Sequence, residues 1–327
     1  MTDLFGQVIE ISLSMSVLIV ILFVFSKTMH QRYRPSVVVL AWLTIALRMI
    51  LPWNITLPSA AVTIPIPQRM VQPLPIGAAF TEMPQPETEP QPPDPSISEY
   101  YEKAEVNPAP TTVFSISIIG MALSVFHLML DYYRVKKLLM ARGQRVSRQS
   151  PQGRLLCQLG RKMKMKKIPP LIANRSAPTP MAIGFLNPTI VLTPELLEHE
   201  NLDLILKHEL IHLKQKDLWK KVLLSAAQTI HWFNPFVWLM NNQAENDIEM
   251  ACDRRLLKGQ PKEVRAIYGR MIVDVIRKTH LPMTMFSTRF SSGKPLKKRI
   301  QALFDSSRKK KGILILTLIL LSAGVGS

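Results

Sequence analysis

Apolar positions in this chain gather into long runs, longer than the short amphipathic periods of a soluble fold, and their lengths predict membrane spans. The first run covers 8–25, broken only by Glu10 near one end and a few serines; the second covers 36–52 and the third 112–133. A fourth, 312–327, starts behind Lys309-Lys310-Lys311. Its 16 residues make about 24 Å of helix against a hydrocarbon core of about 30 Å, so this span is expected to be a clipped one. The N-terminus lacks a basic stretch ahead of the first run, which reads as a retained span and not as a signal peptide.

Between the runs the polar residues are distributed very unevenly. Residues 54–111 hold 13 of the 26 prolines and seven acidic groups, so 53–111 is expected to be an extended, Pro-rich extracellular loop. Of the 41 Lys and Arg residues, 35 fall in 134–311 and three in the turn 26–35, which places both segments on the cytoplasmic side and the N-terminus outside. The net charge of +18 suits a domain held against anionic lipid. No nucleic-acid-binding motif accompanies it, so direct nucleic-acid binding is not expected.

Within 134–311 the pattern changes again. Sequence from Arg134 to about Lys167 reads as basic helix. Then Leu171–Ala173, Met181–Phe185 and Thr189–Leu192 read as short strands punctuated by Pro178, Pro180 and Pro188. Proline at strand borders suggests a sheet edge, which can either take up an extended peptide as an added strand or simply roof the helices. Thr193-Pro194 and Asn201 look like two helix starts, the second leading into His208. Val222–Met240 is apolar enough to imitate a span, but crossing there would separate His208 from everything after Asn241. It would also put Gln228, His231 and Asn234 in hydrocarbon. A helical hairpin turning at Asn234-Pro235, buried in the domain or lying on the bilayer surface, is expected instead.

Candidate chemistry centres on His208-Glu209-Leu210-Ile211-His212. Histidines at i and i+4 of one helix aim two imidazoles at one ion, for which zinc is the natural guest, and Glu209 is set to work on water as the catalytic base. A third ligand is needed. Glu249 and Asp253 share a helix face, with Glu249 assigned to metal and Asp253 to a hydrogen bond on a ligand imidazole; Glu245 and Asp247 are the alternatives. Cys157 and Cys252 stand at no metal-ligand or disulfide spacing and read as buried thiols. For the oxyanion only His231 offers itself, and an ordinary packed histidine is the stronger reading there.

Taken together, the four spans, Gly184-Phe185-Leu186-Asn187-Pro188, His-Glu-Leu-Ile-His, Trp232-Phe233-Asn234-Pro235 and Glu249-Met250-Ala251-Cys252-Asp253 resemble the BlaR/MecR-type antirepressor metallopeptidases of bacterial membranes. The resemblance implies a mainly α membrane protein: four transmembrane helices, with a cytoplasmic α+β zincin-like domain over 134–311 between spans three and four. It implies zinc on His208, His212 and Glu249, Glu209 as base, and a response to β-lactams or cell-wall stress. The substrate would be a cytoplasmic repressor or the chain's own stretch near Ser287 to Arg299, and a homodimer is compatible with it. Family members typically carry a penicillin-binding sensor beyond the fourth span. None follows here, so the chain is expected to be either a fragment ending before a sensor or a sensorless relative. Two rivals share the motif: a housekeeping membrane zinc protease, and a non-catalytic signalling scaffold with a structural ion.

Overall fold

The computed structural model describes residues 2–51, 108–177, 179–277, 293–305, 307, 309, 310 and 312. The expected outer loop as far as residue 107, Pro178, and the expected fourth span beyond Gly312 lie outside these residues. The chain opens with α1 (Thr2–Arg32) and α2 (Pro35–Ile50), joined by a tight turn in which Pro35 takes the first helical position. α3 (Pro108–Ala141) follows. Val8–Ser26 of α1 and Ser115–Ala141 of α3 are long and apolar enough to cross a bilayer, and α2 is a shorter apolar helix. Ile118, Leu123, Phe126 and Met129 of α3 are exposed, a lipid-like outer face.

The helix expected from Arg134 to Lys167 divides in two. α3 ends at Ala141, and a Cβ at Gly143 would come within 2.6 Å of the Leu139 carbonyl oxygen, so only glycine fits this exit. A two-residue strand, β1 (Gln144–Arg145), intervenes. α4 (Pro151–Lys162) then restarts the helix, its first turn capped by Ser150, whose hydroxyl accepts from the Gly153 N–H at 3.1 Å. β2 (Leu171–Ala173), β3 (Met181–Ile183) and β4 (Thr189–Leu192) complete a sheet in the order β1-β2-β4-β3. β2 and β4 run parallel, and the two outer pairs are antiparallel. β3 stops two residues short of the expected Phe185, because Gly184 turns the chain at φ +99°. β3 is therefore an edge strand.

Five further helices surround a ligand-bearing one: α5 (Pro194–Leu197), α6 (Leu202–Lys214), α7 (Asp217–Ile230), α8 (Pro235–Leu256), α9 (Lys262–Arg277) and α10 (Gly293–Phe304), of which α6 carries both motif histidines. α5 and α6 begin after Thr193 and Asn201, as expected. One apolar core packs α6 against the sheet and α9 through Ile190, Leu206, Leu210 and Tyr268. A second core joins α7 and α8 to the first two helices, through Met15, Ile19, Trp42 and Ile45 on one side and Leu224, Val237, Ala244 and Ile248 on the other.

That second core changes the reading of Val222–Met240. The segment is a helical hairpin, but it lies neither within the sheet-bearing part nor flat on a surface; it stands among α1 and α2. Its tip reaches their far ends. The Asn234 amide donates to Ser12 Oγ (2.7 Å) and Ser16 Oγ (2.8 Å), and the His231 ring N–H donates to the Met49 carbonyl (3.0 Å). Asn241 donates to Gln228 Oε1. Left unpaired, each of these buried polar groups would cost several kcal/mol, and these hydrogen bonds offset that cost. His231, sealed at this tip, is a packed residue and is not among those lining the His208 cavity.

Candidate metal centre

α6 aims its two imidazoles at one point, and α8 crosses it to supply the third donor. His208 Nε2 lies 3.0 Å from His212 Nε2, and Glu249 Oε2 is 3.5 Å from each. Donors on a tetrahedral zinc with bonds near 2.0–2.1 Å stand about 3.3 Å apart, so the triangle has the right size. Glu249 Oε2 is also buried with no hydrogen-bond donor, an oxygen that an ion would satisfy. Cys252, one turn further along α8, offers a competing third donor, since its sulfur and one nitrogen of each imidazole fall within 4.8 Å of one another. Its Sγ, however, sits 3.4 Å from His208 Nδ1, away from the Nε2 pair, and 3.5 Å from the carbonyl of His208. The geometry therefore favours Glu249 over the thiol. Glu245 and Asp247 do not join the triangle; Asp247 accepts instead from Trp42 Nε1 (2.8 Å) and Gln243 Nε2 (3.1 Å) in the hairpin core.

The far nitrogens of both imidazoles are fixed from outside. His212 Nδ1 is 2.7 Å from Asp217 Oδ2, and Lys220 Nζ donates to the other oxygen of that carboxylate (2.6 Å). Asp217 was not a sequence candidate: it begins a new helix, and only the left-handed Lys216 (φ 56°) folds it back onto α6. Asp253 reaches His208 indirectly. Tyr268 O–H stands 2.5 Å from Asp253 Oδ1 and 2.8 Å from His208 Nδ1, so the imidazole N–H donates to a phenol that donates to the carboxylate. Asp253 itself lies 3.6 Å from that nitrogen. Burial and the adjacent Asp253 hold the Tyr268 pKa well above its ordinary value, which keeps its proton in place. Each arrangement is of the kind that fixes a ligand tautomer.

Arg299 of α10 closes the back of the site. Its guanidinium grips Asp253 twice, at 2.5 and 2.8 Å, and comes within 3.4 Å of Glu249 Oε2. Burial opposes the Glu249 charge, but the imidazoles of His212 and His208 and the Arg299 guanidinium hold its pKa well below the usual carboxylate range. Burial likewise disfavours protonation of His208, yet the Cys252 thiolate and Glu249 raise its pKa to about 10 when no ion is bound. The same imidazoles pull the Cys252 thiol down against its burial. Arg299 stood in the sequence reading only as the end of the expected self-cleavage stretch near Ser287 to Arg299; in the structure Gly293–Phe304 is helical and Arg299 is buried.

In front of the triangle lies a cavity of about 100 Å³ that Glu209 shares with His208, His212 and Glu249. Met181 and Ala182 of β3 form one wall; Met271, Ile272, Val275 and Ile276 of α9 form another. A base, a metal set and an open strand edge thus meet around one apolar cleft. This is an HExxH-type zinc site of a membrane-associated metallopeptidase. The model of the BlaR1 peptidase M56 family matches residues 6–303, so the chain belongs to that family. It is similar to the "Regulatory protein BlaR1" of Bacillus licheniformis, 29% identical over 151 residues that cover 43% of this chain and 25% of that protein. It is also similar to the "Methicillin resistance mecR1 protein" of Staphylococcus aureus and of Staphylococcus epidermidis, each 30% identical over 137 residues, or 40% of this chain and 23% of theirs. The matched region thus spans about a quarter of the length of these relatives.

Proposed function

We propose that this chain is a four-span membrane zinc endopeptidase that cuts a cytoplasmic protein as the output step of a signalling system. The convergence of His208 Nε2, His212 Nε2 and Glu249 Oε2 beside the open edge of β3 carries the reading. Zinc, when bound, supplies Lewis acidity toward a carbonyl and toward water. The chain does the rest. Glu209 takes a proton from the attacking water and delivers it to the amide nitrogen as the C–N bond breaks. Asp217, and Asp253 through Tyr268, keep both Nε2 atoms turned to the ion. β3 receives the substrate backbone as an added strand, so an extended peptide is cut irrespective of most of its side chains.

The membrane placement rests on α1, α2 and α3 together with the charge asymmetry of the sequence: 26–35 and 134–311 inside, the N-terminus and 53–111 outside. Two substrates are consistent with the cleft. One is a cytoplasmic repressor, in keeping with the regulatory and resistance names of the relatives. The other is the chain itself between Arg277 and Gly293, because the helices on both sides of that connection, α9 and α10, line the cavity. In this reading β-lactams or cell-wall stress are the upstream signal.

The decisive test is Glu209→Gln. Zinc content should stay at wild-type level while cleavage of a repressor or of the 278–292 connection falls by about 10²- to 10⁴-fold, the usual range for a general base. Unchanged cleavage would refute the mechanism, and a wild-type protein that holds zinc but cuts neither substrate would favour a structural ion.

A further inference from the structure

A second cavity, on the opposite side of α8 from the cleft, has no part in the proposed reaction. It measures about 370 Å³ and lies between the Arg34-Pro35-Ser36 turn at the start of α2 and the last turns of α8. Its lining is strongly basic. Arg34, Arg254, Arg255, Lys258, Arg265 and Lys309 face it, against only Asp253 and Asp305. Both carboxylates are already answered, Asp253 by Arg299 and Asp305 by Lys309 at 2.7 Å. Two of the cations are engaged elsewhere: Arg265 donates to the carbonyls of Leu257, Gln260 and Leu303, and Arg254 to that of Ser307. Arg34, Arg255 and Lys258 have no ion pair among the described residues. Burial lowers the pKa of Arg254, Asp305 raises it, and Arg34 and Arg265 lower it further; an anion in the pocket would relieve that like-charge repulsion.

The pocket does not end at the charges. It shares Ser36, Ala251 and Arg255 with a neighbouring cavity of about 240 Å³, which Val39, Leu40 and Leu43 line along one face of α2 and which Gln215 and Lys220 also line. From Ser36 to Leu43 the helix rises about 10 Å, the depth over which a headgroup gives way to acyl chain. The basic end lies where the chain ahead of the last apolar run is tied to the α1–α2 turn: Lys310 N–H donates to the Arg32 carbonyl, and Arg34 N–H to that of Lys310. On the proposed topology this is the inner leaflet. A cationic pocket that continues along the apolar side chains Val39, Leu40 and Leu43 of α2, with Lys220 already held by Asp217, has the form of an amphiphile.

We propose that this composite cleft binds an anionic phospholipid of the inner leaflet, its phosphate among Arg34, Arg255 and Lys258 and one acyl chain along Val39, Leu40 and Leu43. The proposal rests on the membrane reading above but not on the peptidase reading. Bound there, the lipid would brace α2 against the C-terminal end of the helix that carries Glu249.

The test is native mass spectrometry of the purified full chain in mild detergent, titrated with dioleoylphosphatidylglycerol or dioleoylphosphatidylcholine. Micelles have no sides and no cleavage is read, so a wrong orientation or an inactive enzyme leaves this readout intact. The wild type should retain phosphatidylglycerol at least about fivefold better, roughly the contribution of one basic residue at an anionic surface. Replacing Arg34, Arg255 and Lys258 by Gln should abolish the preference. Replacing three exposed cations elsewhere, Arg148, Arg154 and Arg161, by Gln should leave it unchanged, and Leu43→Trp should weaken retention by filling the groove. Equal retention of both lipids, equal losses in the two triple variants, or full displacement of phosphatidylglycerol by equimolar glycerol phosphate would each overturn the proposal; the last would reassign the pocket to a free phosphate ester.

Discussion

The two halves of α8 bury polar side chains to opposite ends. In its first half, Asn234, Asn241, Gln243 and Asp247 meet donors or acceptors from α1, α2, α7 and α8 itself. Those groups lock a hairpin among apolar helices. In its second half, Glu249 keeps one buried oxygen with no hydrogen bond among the described residues, 3.5 Å from each of two imidazole nitrogens. A helix of 22 residues thus carries polar side chains that meet protein partners in its first half and, at Glu249, an oxygen open to a guest in its second. The matched half holds the open half in position, since Asp247 is bound to Trp42 of α2 only two residues before Glu249.

If this division is right, substitutions in the second half should remove metal before they remove fold. Glu249→Ala should reduce zinc retention through dialysis against a chelator by at least about 10²-fold, whereas Cys252→Ser should retain it. The reverse result would make the thiol the third ligand. A smaller effect is expected for Asp217→Ala, about 10- to 100-fold in zinc affinity, through loss of the hold on His212 Nδ1; competition with a fluorescent chelator would measure it.

Zinc affinity should also rise with pH. Without an ion, His208 holds its proton up to a pKa of about 10 and His212 is raised as well, so binding must displace protons. The gain should be up to about tenfold per pH unit for each proton released between roughly pH 6 and 8, and a flat profile would mean that the imidazoles are already neutral in the metal-free protein. In the first half the expectation is reversed. Trp42→Phe, which takes a donor from buried Asp247, should cost about 1–3 kcal/mol in stability with zinc content unchanged. Loss of zinc in that variant, without unfolding, would show the two halves to be coupled.

Much of the site was legible along the chain because its spacing is local. His208, Glu209 and His212 are a helical i, i+1, i+4 set, and Glu249 and Asp253 another i, i+4 pair, so helix geometry alone predicts which side chains share a face. β2 and β4 were legible for a similar reason, being short, mostly apolar runs between prolines. Asp217, Tyr268 and Arg299 were not, because none has a periodic relation to the residues it serves. A left-handed residue, a packed α9 and a helix 46 residues beyond Asp253 bring them in. The hairpin shows the same limit from the other side: the partners of Gln228, His231 and Asn234 lie in other elements and could not be read along the chain.

The sequence by itself determined the long apolar runs, the segments in which the basic residues gather and the two helical sets of candidate site residues, because each is written in composition or in a repeat of a few residues. Tertiary structure alone decided that the apolar hairpin packs against the first two helices, that Tyr268 stands between Asp253 and His208, and that Arg299 lies beside Glu249 and Asp253. Those outcomes depend on contacts between residues tens to hundreds of positions apart. No local period encodes them, and only the joint packing of the helices selects them.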